Sequence, residues 1–137
     1  MAINTYLNFK GNTREAVEFY ASVFGVEVPE IMTFGQAPQN PDHPLPEGME
    51  NGVMHARLDV AGGTLMFSDT FPNMPLTFGD NISLVLSLSN QDEVTTYYNR
   101  LKEGGNVQME LQETFWSKSY GIVKDKFGIT WQVSLEA

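Results

Sequence analysis

The sequence predicts an α+β fold built from two βαβββ modules, and three observations support this prediction. Strand-like and helix-like segments follow the same order twice: a strand, a helix and three further strands. Gly25 and Gly104 occupy equivalent places in the two halves, each at the end of a predicted helix. The length of 137 residues suits a single domain, residues 1–137, with modules at about residues 1–70 and 80–137.

The first module begins with a strand and a helix. Apolar and polar side chains alternate over Ile3–Phe9, which is the period of a half-buried strand. Asn12, followed three residues later by Glu15, predicts a capped helix that ends at Gly25. A second strand is expected over Val26–Phe34, and Pro29 within it favours a position at the edge of the sheet.

A proline-rich loop over residues 35–52 leads to a hairpin. Val53–Val60 and Thr64–Asp69 alternate in polarity on either side of Ala61-Gly62-Gly63. Small residues between two alternating segments are typical of a tight β-turn, so these two strands are predicted to pair.

The second module repeats this order. A strand is predicted over Ile82–Leu88, and Ser89 with Asp92 predicts the start of a helix that Gly104 ends. Three short strands follow, over Val107–Leu111, Ser119–Lys124 and Ile129–Leu135.

One helix cannot cover both faces of a four-stranded sheet. We therefore expect two curved mixed sheets that form a shared cup, with the helices on the convex backs and the ligand site in the cup. Alternation turns Leu7 and Phe9 toward the helix and leaves Asn4, Tyr6 and Asn8 for the cup. The same alternation assigns to the cup, in the second module, Ser83, Val85 and Ser87.

Composition narrows the classes of function. Seventeen acidic and eight basic side chains leave a formal charge of −9, which disfavours nucleic acid and anionic membrane surfaces as partners. The absence of cysteine excludes disulfides and thiolate chemistry. No apolar run approaches the ~18 residues of a membrane span, and Met1–Gly11 lacks the features of a signal peptide. We therefore expect a cytoplasmic protein.

Two groups of residues are candidates for a site. His55 shares one strand face with Arg57 and Asp59, and it is either an acid–base group or a histidine hydrogen-bonded on the sheet surface. Trp116 and Tyr120, near the second-last strand, either stack on a planar ligand or pack between the modules.

Four stretches, residues 6–12, 15–20, 113–116 and 125–131, read YLNFKGN, EAVEFY, ETFW and DKFGITW. With the order of elements, they give a sequence that resembles the vicinal-oxygen-chelate superfamily, and within it the PhnB-like branch of glyoxalase and bleomycin-resistance proteins. The resemblance covers nearly the whole chain. It implies a cup-shaped fold that binds small molecules and commonly forms homodimers, so we expect a homodimer.

Metal-using members of this superfamily hold a divalent ion with one side chain from each of four strands. Carried over to this chain, the first-strand position falls on Asn4, or on Thr5 without a gap. The other three positions fall on Phe67, Ser83 and Gln132. A phenyl ring cannot ligate a metal, and hydroxyl and amide oxygens are weak neutral ligands, so no metal cofactor is predicted.

The leading hypothesis is a PhnB-like small-molecule binding protein whose pocket favours a neutral or weakly polar, partly planar ligand. The alternative is a lyase, dioxygenase or transferase that holds a divalent ion in a non-standard way, with His55 as one ligand. Methyl transfer is not predicted, because no nucleotide-binding glycine motif follows a strand. No catalytic residue is assigned, and the predicted ligand-binding residues are Tyr6, Asn8, His55, Arg57, Phe67, Ser83, Ser87, Trp116, Tyr120 and Gln132.

Overall fold

The computed structural model describes residues 1–136 and divides the chain into two compact units, residues 1–77 and the chain from residue 78 onward. We call them module 1 and module 2. Each contains one strand, one helix and three further strands, which confirms the predicted α+β class and its two βαβββ modules. Neither helix in the described residues is long and apolar enough to cross a membrane.

Module 1 forms a mixed four-stranded sheet with the order β1-β4-β3-β2. Strands β1 and β4 are parallel, and the other neighbours are antiparallel. The elements are β1 (Thr5–Phe9), α1 (Thr13–Phe24), β2 (Ile31–Thr33), β3 (Val53–Val60) and β4 (Gly63–Asp69).

Module 2 repeats this topology with the order β5-β8-β7-β6. Strands β5 and β8 are parallel, as β1 and β4 are in module 1. The elements are β5 (Leu84–Leu88), α2 (Gln91–Leu101), β6 (Asn106–Gln112), β7 (Tyr120–Lys124) and β8 (Thr130–Leu135).

The second strand is shorter than predicted. Val26–Phe34 was expected to be a strand, but only Ile31–Thr33 pairs with β3, and a short 3₁₀ turn begins at Phe34. The left-handed Gly25 ends α1 as predicted, since its N–H reaches the carbonyls of Ala21 and Ser22. Residues 26–30, which follow this turn, do not pair with another strand.

The start of α1 corrects a second prediction. Asn12 makes no side-chain capping bond. The Oδ1 atom of Asp69, at the end of β4, instead accepts hydrogen bonds from the Gly11 N–H (3.0 Å), the Thr13 N–H (3.2 Å) and the Thr13 hydroxyl (2.6 Å). Asp69 Oδ2 accepts from the Val53 N–H at 2.9 Å. A carboxylate from a distant strand therefore satisfies donors that a local cap would otherwise serve.

The start of α2 is local, but it uses a different residue from the one predicted. Asn90, rather than Ser89, is the N-cap, and its side-chain oxygen accepts from the Glu93 N–H at 3.1 Å. Asp92 and Glu93 add negative charge to the first turn, which favours the positive end of the helix dipole.

Phe67 lies on the helix side of its sheet, so the prediction that it faces the ligand site was wrong. Its side chain has 0% exposure, and its ring stacks on Tyr20 of α1 with centroids 5.9 Å apart. The prediction aligned Gly63 with Gly128, four residues before Phe67 and Gln132 respectively. The left-handed glycine equivalent to Gly128 is instead Gly62. A shift of one residue moves a strand side chain to the opposite face, which places Met66 at the position given to Phe67.

Trp131 anchors the core of module 2. It is 2% exposed, and its indole N–H donates to Asp125 Oδ2 at 2.8 Å. Asp125 Oδ1 accepts from the backbone N–H groups of Phe127 and Ile129, which closes the turn between β7 and β8. This buried carboxylate ties the turn to the core.

Candidate functional site

Each sheet has one face covered by its own helix and a second face that we call the open face. On the open face of module 1, Tyr6 is 46% exposed while its neighbours Leu7 and Phe9 are buried. This confirms the predicted alternation along β1. The open face of module 1 also carries Asn8, His55, Arg57, Met66 and Ser68.

Module 1 brings together two of its predicted site residues from different strands. The Tyr6 hydroxyl lies 3.3 Å from His55 Nδ1, and the two rings are tilted by 46°. The tautomer of the imidazole decides which of the two groups donates the proton. Beside them, the Ser68 hydroxyl donates to Asn8 Oδ1 at 3.2 Å. The row of polar side chains across β1, β3 and β4 is therefore internally hydrogen-bonded.

Arg57 is held by its neighbours on the same open face. Its Nε–H donates to Asp59 Oδ1 at 3.1 Å, and the Thr64 hydroxyl donates to the same oxygen at 2.8 Å. The Thr64 hydrogen bond, followed by the Arg57 interactions, lowers the pKa of the Asp59 carboxyl against a partial opposing effect of desolvation. The guanidinium of Arg57 is thus paired with a carboxylate on the same sheet.

Module 2 contains a pocket of about 500 Å³ that opens to solvent. Four of its lining residues are predicted site residues, namely Ser87, Trp116, Tyr120 and Gln132. Val85 was assigned to the same face but not to the predicted site residues. Sequence reasoning missed three others, which lie at the end of β8 and just beyond it: Ser134, Leu135 and Glu136.

Period-two alternation could have predicted one of these three residues. Ser134 lies two positions after Gln132 and pairs with Ser87 across the parallel strands, so it shares their face. Glu136 follows the last strand, where alternation no longer predicts direction. Its backbone N–H donates to the Leu88 carbonyl at 2.7 Å, which holds this end of the chain beside β5.

Gln132 lies in the pocket wall and is the centre of a hydrogen-bonded row that also contains Ser83, which is not among the residues lining the pocket. The Tyr120 hydroxyl donates to Gln132 Oε1, and Gln132 Nε2 donates to the Ser83 hydroxyl oxygen at 2.9 Å. Both ends of the carboxamide are therefore engaged by protein groups. The parallel β5–β8 register, which sets Val85 opposite Gln132, brings the residues of this row together.

Two aromatic side chains extend from the loop between β6 and β7. Trp116 packs edge-on against Tyr120 with centroids 5.2 Å apart, yet it remains 54% exposed. Phe115 packs edge-on against Trp116 and is 97% exposed. The buried Ser117 holds the loop, because its hydroxyl lies 2.8 Å from the Leu135 carbonyl. Trp116 is thus positioned by one edge, with its remaining surface toward solvent and pocket.

The positions at which metal-using members of the superfamily hold an ion carry neutral side chains in this chain. Module 1 offers Asn4 and the Met66 thioether there, and module 2 offers Ser83 and Gln132. None of these is a carboxylate or an imidazole, and the Gln132 carboxamide is already engaged. Within residues 1–136, no group of three or more His, Cys, Asp or Glu side chains is placed to hold a metal.

Comparisons with known proteins agree on one family. A family model described as 3-demethylubiquinone-9 3-methyltransferase matches residues 1–134. Protein YjdN of Escherichia coli K12 is 31% identical over 141 residues, covering 98% of this chain and 95% of that protein.

Two solved structures are similar over nearly their full length. Protein PA1353 from Pseudomonas aeruginosa is 37% identical with a TM-score of 0.86, covering 99% of this chain and 98% of that one. A Bacillus cereus protein, described as a putative 3-demethylubiquinone-9 3-methyltransferase and PhnB protein, is 30% identical with a TM-score of 0.75. That match covers 98% of this chain and 99% of the other.

Proposed function

We propose that this chain is a small-molecule binding protein. The chain belongs to the PhnB-like family of the vicinal-oxygen-chelate superfamily, and the model of that family is described as 3-demethylubiquinone-9 3-methyltransferase. The ligand site is the pocket of module 2. One observation carries the proposal: Gln132 and Tyr120, which form a hydrogen-bonded row with Ser83, lie in the wall of a pocket of about 500 Å³ beside the half-exposed Trp116.

The geometry of this wall suits the recognition of a ligand that is partly planar. A half-exposed indole presents a large rigid surface, and Tyr120 packs against one edge of it. Pre-positioned groups lose little side-chain entropy when a ligand binds. The row and the indole are therefore arranged before binding, and the volume lies within the range of small-molecule sites, about 300–1,000 Å³.

No metal takes part in the proposed function, because the donors at the superfamily's metal positions are a thioether, a hydroxyl and two amides. We expect Mn²⁺, Ni²⁺, Zn²⁺ and Fe²⁺ to bind no tighter than about tens of micromolar, since neutral oxygen donors hold such ions weakly. Calorimetry with the metal-free protein measures this. Submicromolar binding of one ion per chain would instead favour the enzymatic alternative with His55 as a ligand.

Methyl transfer, the activity in the family description, is not part of the proposal. The sequence has no glycine motif of the kind that binds a nucleotide after a strand. Asp69 and Asn90 cap the starts of α1 and α2. A methyl donor retained by the purified protein would contradict this interpretation.

The proposed function is tested by identifying what the protein retains. Untagged protein, purified without chelator, is analysed by native mass spectrometry for a bound small molecule, and the released molecule is then titrated back by calorimetry. Gln132→Met removes both hydrogen bonds of the row, and we expect it to weaken binding of that molecule about tenfold or more. Gln108→Met makes the same change at an exposed position of β6 outside the pocket and serves as the control.

Two results would contradict the proposal. One is a retained molecule whose affinity falls equally in the Gln132 and Gln108 variants, which would place the site elsewhere. The other is the absence of any retained molecule together with no binding of the probes described below.

A homodimer and a cytoplasmic location stay predictions. Two general facts support the homodimer: members of the superfamily commonly form homodimers, and two-fold dimers are frequent among soluble proteins. Sedimentation equilibrium decides it, and a mass of one chain up to high micromolar concentration would contradict it.

A further inference from the structure

We infer that the pocket of module 2 is selective for a planar organic cation, a fused aromatic ring system that carries a protonated amine. The inference rests on the proposed function and refines it by specifying the charge and shape of the ligand. Three features of the pocket support it: its formal charge, the direction of its hydrogen bonds and the exposed indole.

Among the described residues that line the pocket, Glu136 alone carries a formal charge, and none is a lysine or an arginine. Lys124 lies on the same open face, but its ammonium group is 3.2 Å from Asp80 Oδ1 and forms an ion pair there. The chain as a whole carries −9, so the surrounding field also attracts cations.

Two lining groups can only accept hydrogen bonds from a ligand, whereas the Ser87 and Ser134 hydroxyls and the Trp116 indole N–H can donate. Tyr120 gives its only hydroxyl proton to Gln132 Oε1, so its oxygen can only accept from a ligand. The Glu136 carboxylate likewise only accepts. A ligand with N–H donors satisfies both groups, whereas a carboxylate or phosphate would meet like charge and lone pairs.

Trp116 supplies the third feature. Its indole is 54% exposed beside these acceptors, and Tyr120 fixes its orientation from one edge. An indole face attracts a cation within about 6 Å of the ring centroid, and it also stacks on planar rings. A planar cation uses both properties, while a neutral planar molecule uses only one.

This inference departs from the neutral ligand expected from the sequence. The lining predicted from alternation contained neutral hydrogen-bonding groups and Arg57 as its only charge. Arg57 lies in module 1 and is balanced by Asp59, whereas Glu136 lines the pocket in module 2. The charge predicted for the ligand therefore changes from neutral to positive.

The test compares two probes of nearly the same shape. At neutral pH, 9-aminoacridine is a cation and acridine is neutral. Each is titrated into the full chain at low and at moderate salt, and binding is followed by calorimetry. We expect 9-aminoacridine to bind about tenfold more tightly than acridine, and this preference to shrink as salt rises.

Two matched variants distinguish the effect of the pocket's own charge on binding from the effect of the net charge of the chain. Glu136→Gln and Glu103→Gln change the net charge equally, and Glu103 is an exposed residue between α2 and β6. We expect Glu136→Gln to weaken 9-aminoacridine binding about three- to tenfold without affecting acridine, and Glu103→Gln to affect neither. Trp116→Ala should weaken both probes, and its melting temperature and circular dichroism should show that it stays folded.

Each contrary outcome identifies what has failed. Acridine binding as tightly as its cationic analogue would overturn the inference and leave the proposed function standing. Equal weakening by the two glutamate variants would also overturn it, because the attraction would then be diffuse. If neither probe binds but the protein retains another small molecule, the inference fails alone. If neither probe binds and nothing is retained, the proposed function fails with it.

Discussion

The two modules share one topology but stabilise it at different points. Module 1 buries Asp69 at the end of β4, where the carboxylate accepts four hydrogen bonds and joins the start of α1 to the start of β3. Module 2 buries Asp125 in the turn between β7 and β8, where the carboxylate accepts from the turn and from Trp131. The same fold can therefore be closed by a buried carboxylate at either end of its strands.

The open faces of the modules differ as well. The parallel pairs Tyr6–Met66 and Val85–Gln132 occupy equivalent registers. Module 1 sets a phenol beside a thioether there, whereas module 2 sets an aliphatic group beside a hydrogen-bonded carboxamide. Backbone register is thus repeated while side-chain chemistry is not, so a site in one module does not imply its copy in the other.

The largest expected effect concerns the carboxylate of module 1. Asp69→Ala leaves buried N–H groups without an acceptor at the start of α1, and we expect the free energy of unfolding to fall by about 4 kcal/mol. Urea denaturation measures it. Asp59→Ala, on an exposed position of the same sheet, is the control and should cost under about 0.5 kcal/mol. A loss below about 1 kcal/mol for Asp69→Ala would show that the cap is dispensable.

The hydrogen bond from the Trp131 indole to Asp125 in module 2 should contribute less to the free energy of unfolding, because its removal takes away a single donor. Trp131→Phe removes the indole N–H from Asp125 and opens a small cavity, with an expected cost of about 2 kcal/mol. Trp116→Phe makes the same change at a half-exposed site and should leave the unfolding midpoint nearly unchanged. Equal destabilisation by the two variants would contradict the anchoring role of Trp131.

The two equivalent hairpin turns offer a smaller and closely matched comparison. Gly62 and Gly128 both have positive φ, +77° and +90°, so alanine is strained at either position. A Cβ at Gly62 meets nothing within 4 Å, but at Gly128 it meets the Phe78 ring at 3.0 Å. We expect Gly62→Ala to cost about 1 kcal/mol and Gly128→Ala about 2 kcal/mol by denaturant titration. A reversed order would show that the Phe78 ring moves aside freely.

The smallest effect is expected at the open face of module 1. Tyr6 is half-exposed and contacts His55, so Tyr6→Ala should cost under about 1 kcal/mol and shift the melting temperature by a few degrees at most. Thermal unfolding followed by circular dichroism measures the shift. A loss above about 3 kcal/mol would mean that Tyr6 belongs to the core, and the parity of β1 would be wrong.

Much of the fold was readable from the sequence because it depends on neighbours in the chain. The alternation along β1 predicted which residues face α1, since a slip of one residue would expose Leu7 and Phe9. The turn at Ala61 and Gly62 has positive φ at both residues, as the small residues there suggested. Both features arise from steric preferences within a few residues.

Contacts between distant residues were decided only by the tertiary structure. Asp69 reaches Thr13 across 56 positions and displaces the local cap predicted at Asn12. Gln132 meets Ser83 across 49 positions because β5 and β8 pair in parallel. Local patterns carry no information on such pairings, since they specify a face and not the residue that lies opposite. Glu136, which lines the pocket just beyond the last strand, had not even a face assigned to it by alternation.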